Sequence, residues 1–281
     1  MLGFVLVLIS AFFHSVWNML LKSSFNKYHF NFFIHITNFV LFSFIYLIFF
    51  KSYFYLKFNI FLYSLLASLF FSLYHICLST AYRYGELSSY YPIINSSPLF
   101  VFIWAKFLLK EKVSVFGIIG IIMIILGVYI ITSEVTSNEK RNFNGIVFSL
   151  LAAIFYSFGA LIDKIGVSGD NIFLYIYFLT MFMTIQMWLF NRKFIKEKPL
   201  DTVKRDFIKI LFGGCVLLGS IFSYRFGLSM VNLSYAIFLR QANVLFGVIL
   251  GYLFLKEKIT IYKLIGAFLI FIGINILRIL N

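Results

Sequence analysis

Residues 109–127, LKEKVSVFGIIGIIMIILG, recur at residues 255–273 as LKEKITIYKLIGAFLIFIG. The turns Lys110-Glu111-Lys112 and Lys256-Glu257-Lys258 stand 146 residues apart, as do Gly120 and Gly266, and Gly127 and Gly273. At the same offset Leu87-Ser88 matches Leu233-Ser234, and Asn95-Ser96-Ser97 falls on Gln241-Ala242-Asn243. Nearer the start of each copy the offset is 142, with Ala11, Ser15 and Lys22 matching Ala153, Ser157 and Lys164. The chain is therefore a doubled unit, residues 1–133 and 144–281, joined by a linker at 134–143.

Each copy is strongly apolar. The 281 residues are 62% hydrophobic and 12% charged, against about 25% charged in soluble domains. Mean hydropathy is +0.97. Apolar runs long enough to cross a hydrocarbon core of about 30 Å recur along the whole sequence. They predict spans at Leu2 to Leu21, Asn31 to Phe50, Asn59 to Tyr82, Leu87 to Leu109, Val115 to Thr132, Asn144 to Ile165, Ile172 to Phe190, Phe207 to Met230, Leu233 to Leu255 and Ile261 to Leu280. The runs are continuous rather than alternating, which excludes a barrel. The first lacks a basic leader and a small-residue cleavage site, so it is expected to stay as a helix. The expected fold is all-α and polytopic, with ten transmembrane helices. Five spans per copy make the second copy enter the membrane from the opposite side, so the repeats are inverted.

The net charge of +14 does not point to nucleic acid, because the 24 Lys and Arg sit mostly at span ends and no compact basic domain exists. Cys77 and Cys215 fall inside spans without metal-ligand spacing and read as small apolar fillers. No cofactor and no metal are expected. A Gly-x-x-x-x-Gly-Lys-Ser/Thr loop is absent, as are a His-Glu-x-x-His zinc pattern and a nucleophile elbow, so the chain reads as neither a nucleotide hydrolase nor an enzyme.

Ionisable groups inside a bilayer cost several kcal/mol unless they face a cavity or a partner. Arg225 and Arg240 are placed at similar depth in spans eight and nine. Two guanidiniums there would converge on an anionic or zwitterionic ligand, or else each would snorkel or bond to carbonyls. Gln241 and Asn243 flank Arg240 in the register of Asn95, Ser96 and Ser97. In span four those residues and Tyr90 lie near Pro92 and Pro98, which points to a kinked, cavity-lining helix. His14 and His75 sit near mid-membrane and are candidates for proton coupling, with interhelical bonding as the alternative. His35 reads as interfacial. Asn18, Trp17, Tyr156, Ser157 and Gln186 are weaker candidates. The acidic residues, Asp163 among them, fall at or near span ends.

The stretch AFFHSVWNMLLK at Ala11 to Lys22, the segment Ala81 to Pro98 and the two Leu-Lys-Glu-Lys turns resemble the drug/metabolite transporter superfamily, in particular its ten-helix EamA-type members. The resemblance implies two five-helix inverted repeats around a substrate cavity lined by spans one, three, four, six, eight and nine. Spans five and ten would form the scaffold, consistent with Gly117, Gly120, Gly127, Gly266 and Gly273 allowing close helix approach. In the small multidrug resistance branch a carboxylate occupies the place of His14. Its absence here argues against carboxylate-driven export of cationic drugs.

The expected function is secondary transport of a small metabolite, an amino acid or organic anion, by alternating access. Flipping of a lipid-linked substrate is the alternative. The expected partners are that small molecule, the bilayer of the cell membrane and coupling protons, with the chain acting as a monomer. Loops after odd-numbered spans are the more basic, which by the positive-inside rule puts both termini outside. The resemblance implies the reverse, with cytoplasmic termini, and that orientation is adopted.

Overall fold

The computed structural model describes residues 1–50, 57–81, 84, 90, 93–133, 142–169, 171–194, 199–256 and 259–279. Arg83, Glu86, Leu87, Ser88, Tyr91, Pro92, residues 134–141, Asp170, Glu197, Glu257 and Lys258 lie outside the described residues. All regular structure among the described residues is helical. The helices are α1 (Leu2–Lys22), α2 (Lys27–Ile45), α3 (Phe58–Ala81), α4 (Ser97–Phe107), α5 (Val115–Ser133), α6 (Phe143–Val167), α7 (Ile172–Phe194), α8 (Pro199–Met230), α9 (Leu233–Leu239), α10 (Ala242–Leu255) and α11 (Ile261–Ile279). A π turn, Tyr46–Phe50, continues α2. Taking α9 and α10 as one segment, seven spans are long and apolar enough to cross a membrane, and three shorter apolar helices, Ser97–Phe107, Val115–Ile131 and Ile261–Leu277, accompany them.

Helix pairing repeats with the sequence. Helix α1 packs along α8, and its repeat equivalent α6 packs along α3, the equivalent of α8. Likewise α10 lies on α1 as α4 lies on α6. Helices α5 and α11, which are equivalents, pack against each other through the repeated glycines. A β-carbon at Gly127 would stand 2.5 Å from the carbonyl oxygen of Gly266, and one at Gly273 would stand 2.6 Å from that of Gly120. Only glycine permits backbones this close. The opposite faces of these helices expose Ile119, Ile122, Leu126, Phe268 and Phe271, an apolar surface suited to lipid.

The Leu-Lys-Glu-Lys turns have a conformational role. Lys110 and Lys256 have φ of 54° and 55°, the only positive values outside glycine among the described residues. A left-handed residue ends a helix, and Lys256 caps α10 through its N–H on the Gly251 carbonyl.

Three helices depart from the predicted spans. Helix α2 starts at Lys27 rather than Asn31, because the Asn26 side chain accepts from the Tyr28 and His29 N–H groups. His35 is consequently two turns inside the helix and 3% exposed. Helix α8 starts at Pro199 and bends at Asp206 (φ −116°, ψ 18°). There the Asp206 carboxylate accepts from Phe25 N–H at 2.7 Å and pairs with Lys209 at 3.2 Å, tying the bend to the turn after α1. The predicted ninth span is divided at Arg240-Gln241 into α9 and α10. Cys77 is buried as expected, whereas Cys215 is exposed on α8.

Candidate functional site

The division of the ninth span is a tightened turn. The N–H of Gln241 bonds to Phe238 O, that of Asn243 to Arg240 O and that of Val244 to Gln241 O, each at 3.0 Å and each spanning three residues rather than four. At the equivalent point of the first copy, Ser96 N–H bonds to Ile93 O at 3.1 Å and Leu99 N–H to Ser96 O at 2.9 Å. Short three-residue turns within a helical run mark hinges. Both copies therefore break within one residue of the same place, but only the second carries a charge there, since Ile94 stands where Arg240 does.

Arg240 is half-buried and surrounded by uncharged groups. Its guanidinium carbon lies 4.2 Å over the ring of Tyr224 on α8. Nη1 approaches the Tyr156 hydroxyl on α6 at 3.5 Å, and Nη2 approaches His14 Nδ1 on α1 at 3.5 Å. A guanidinium only donates, so in this contact His14 accepts through Nδ1 and keeps its proton on Nε2. His14 and Tyr156 are equivalents at the offset of 142. The same place on the first helix of each copy thus reaches the one guanidinium. No carboxylate lies within 4 Å of Arg240 among the described residues.

An aromatic file leads away from His14. Trp17 is 5.1 Å from His14 between ring centroids and 6.5 Å from His75, and His75 is 5.9 Å from His35. Tyr74 links His75 back to Tyr156 through contacts of 4.9 and 5.2 Å. Asn18, half-buried, lies one turn beyond His14 on α1. At the two helix breaks, Asn95 Nδ2 and Asn243 Oδ1 are buried without hydrogen-bond partners. An unmet buried polar group costs about 1–3 kcal/mol, and Gln241, two residues before Asn243, is half-buried.

Arg225 is differently placed. Its Nε donates to Asp163 Oδ1 at 3.0 Å, and Tyr175 OH donates to the same oxygen at 2.8 Å. The expected convergence of two guanidiniums on one ligand is therefore not what the geometry gives: the anion beside Arg225 belongs to the protein. Asp163 does lie in the last turns of α6, but it is wholly buried.

The turn between α8 and α9 is held by two charges from elsewhere. Lys164 Nζ donates to the carbonyls of Leu228 and Val231, both at 2.7 Å, at the end of α8. Glu111 accepts from the N–H groups of Leu233 (2.7 Å) and Ser234 (2.9 Å) and from the Ser234 hydroxyl (2.6 Å) at the start of α9. Each charge complements the helix end it meets.

The sequence profile of the EamA-like transporter family matches residues 1–133 and 143–279. The chain belongs to this family. It is a multi-pass protein of the cell membrane, within the drug/metabolite transporter superfamily, and a transporter rather than an enzyme. An uncharacterized transporter of Archaeoglobus fulgidus is 26% identical over 217 residues, 73% of this chain and 72% of that one. A protein known from a crystal structure shares the fold, with a TM-score of 0.79 at 13% identity over 99% of this chain and 96% of the other.

Within this EamA-family transporter the remaining expected site residues bond to neighbouring turns and helices or open a helix. Tyr90 is buried at the junction of the copies, where its hydroxyl accepts from Asn142 N–H at 3.0 Å and donates to Tyr84 O at 3.3 Å. Ser96 bonds its own turn through Ile93 O, and Ser97 opens α4. Ser157 accepts from the Trp104 indole at 3.0 Å, and Gln186 bridges Ser68 and Ser72, all interhelical bonds. Tyr224, on which Arg240 rests, belongs to no sequence motif. The signal for Tyr156 is faint, because its equivalence to His14 rests on only three matched neighbours.

Proposed function

We propose that this transporter is a secondary carrier whose ten membrane-spanning helices form two inverted five-helix repeats. It passes a small metabolite through a site between the copies by alternating access, driven by a gradient. The antiparallel contact of α5 with α11 supports inversion, since Gly120 meets Gly273 while Gly127 meets Gly266. Exchanging the copies maps one contact onto the other.

The substrate carries a carboxylate or comparable anionic group, and Arg240 holds it. The observation that carries this reading is a guanidinium at a helix break, braced by Tyr224, Tyr156 and His14, with no carboxylate within 4 Å among the described residues. Arginine presents paired donors that match a carboxylate, and a charge within a bilayer needs such a counter-ion. Asn95, Gln241 and Asn243 at the two breaks serve the neutral part of the ligand. Because His14 belongs to the first copy and both Tyr156 and Arg240 to the second, rocking one copy against the other changes the His14 contact to Arg240 while the Tyr156 contact travels with it.

The test is thermal stabilisation of the purified protein by succinate, glutamate, phenylalanine and tetraphenylphosphonium, in wild type and R240Q. Stabilisation by at least one of the acids in wild type, lost in R240Q, is expected. Stabilisation by the cation alone, or an acid effect that survives in R240Q, would overturn the reading.

A further inference from the structure

Three of the four histidines in the chain meet inside the bundle. His35 on α2 and His75 on α3 lie 5.9 Å apart at 77°, and Trp17 stands between His75 and His14, at 6.5 and 5.1 Å from their rings. His14 in turn reaches Arg240 at 3.5 Å. Among the described residues the other ionisable groups facing this file are Tyr74 on α3, Tyr156 on α6 and Tyr224 on α8. No carboxylate lies within 4 Å of any of the three imidazoles among the described residues, and the buried Asp163 is held by Arg225 and Tyr175.

Imidazole is the side chain that exchanges a proton in the physiological range, and an ionisable group within a membrane marks an ion path. Two imidazoles at this separation accept a first proton more readily than a second, because the two like charges repel in a medium of low dielectric constant. We propose that His35 and His75 form a single proton site and that the proton is the coupling ion of this transporter. The proton arrives from water on one side, converts one neutral imidazole to imidazolium and leaves to water on the other side. No bond of the substrate changes.

The file also supplies a route for coupling. The guanidinium of Arg240 repels a second positive charge on His14, and an anion bound to Arg240 removes that repulsion. For a proton that passes from the His35–His75 pair to His14, anion and proton then bind better together than singly, the sign required for symport. This link rests on the anion reading of Arg240, whereas the proton site does not.

The experiment uses the full chain in phospholipid nanodiscs with isotopically labelled histidine, followed by NMR between about pH 4 and pH 9. H14Q, H29Q, H35Q and H75Q assign the signals, and H35N and H75N replace any glutamine variant that does not fold. His35 and His75 are expected to take up one proton between them, and H75Q to shift the midpoint of His35 by at least about one pH unit. R240Q is expected to raise the proton affinity of His14 at least about tenfold, and H29Q to leave the pair unchanged. Independent titration of His35 and His75, or no proton uptake by either, would overturn the site and leave the anion reading standing. An unchanged His14 in R240Q would overturn the coupling route.

Discussion

The Arg225 guanidinium and the Asp163 carboxylate meet at 3.0 Å, with side chains 7% and 0% exposed. This pair ties α8 to α6, and Tyr175 adds α7 through the same oxygen. Arg225 directly follows Tyr224, the ring on which Arg240 rests. A buried charge stripped of its partner costs far more than the pair contributes when intact.

R225L and D163L should therefore each destabilise the protein by about 3–5 kcal/mol, while the double change R225L/D163L falls closer to wild type. Unfolding of the three variants in one detergent, read as a double-mutant cycle, checks this. Equal and additive losses would mean that the two groups do not depend on each other.

Glu111 spans the two copies to cap α9. E111A leaves the Leu233 and Ser234 N–H groups without their acceptor and should cost about 1–2 kcal/mol. Hydrogen exchange should accelerate at those two amides and remain slow in α5 and α11. Unaltered protection at Leu233 and Ser234 would show that the cap contributes nothing.

The glycine contact gives a sharper contrast. At Gly127 and Gly266 an added methyl group would meet opposing backbone, which cannot swing aside, so G127A and G266A should each lose about 1–3 kcal/mol. At Gly247 an alanine methyl would have nothing within 4 Å. G247A should accordingly be neutral or stabilising by up to about 1 kcal/mol, the helix preference of alanine. Melting of the three variants side by side decides it.

The doubled unit and the apolar spans are legible in the sequence because local pattern carries them: the Leu-Lys-Glu-Lys turns, the glycine spacing and continuous hydrophobic runs. Arg240 is legible because a charge in an apolar run is conspicuous. What stays hidden depends on distant partners. Asp163 reads as a span-end acid because nothing in its own helix announces Arg225, 62 residues on. His35 reads as interfacial when α2 is started at its first apolar residues, whereas the cap at Asn26 begins the helix a turn earlier. Tyr224 is one tyrosine among 18, and only the fold puts it under a guanidinium.

The most direct measurement is the affinity of the reconstituted protein for the acid that stabilises it, compared among wild type, R240K and R240Q. A charge-assisted contact contributes about 1.5–3 kcal/mol, so R240Q should bind the acid roughly tenfold to a hundredfold more weakly. R240K, keeping the charge but not the paired donors, should fall between. An R240Q affinity within about twofold of wild type, well inside the scatter expected of neutral changes, would contradict the assignment of Arg240 as the anion anchor.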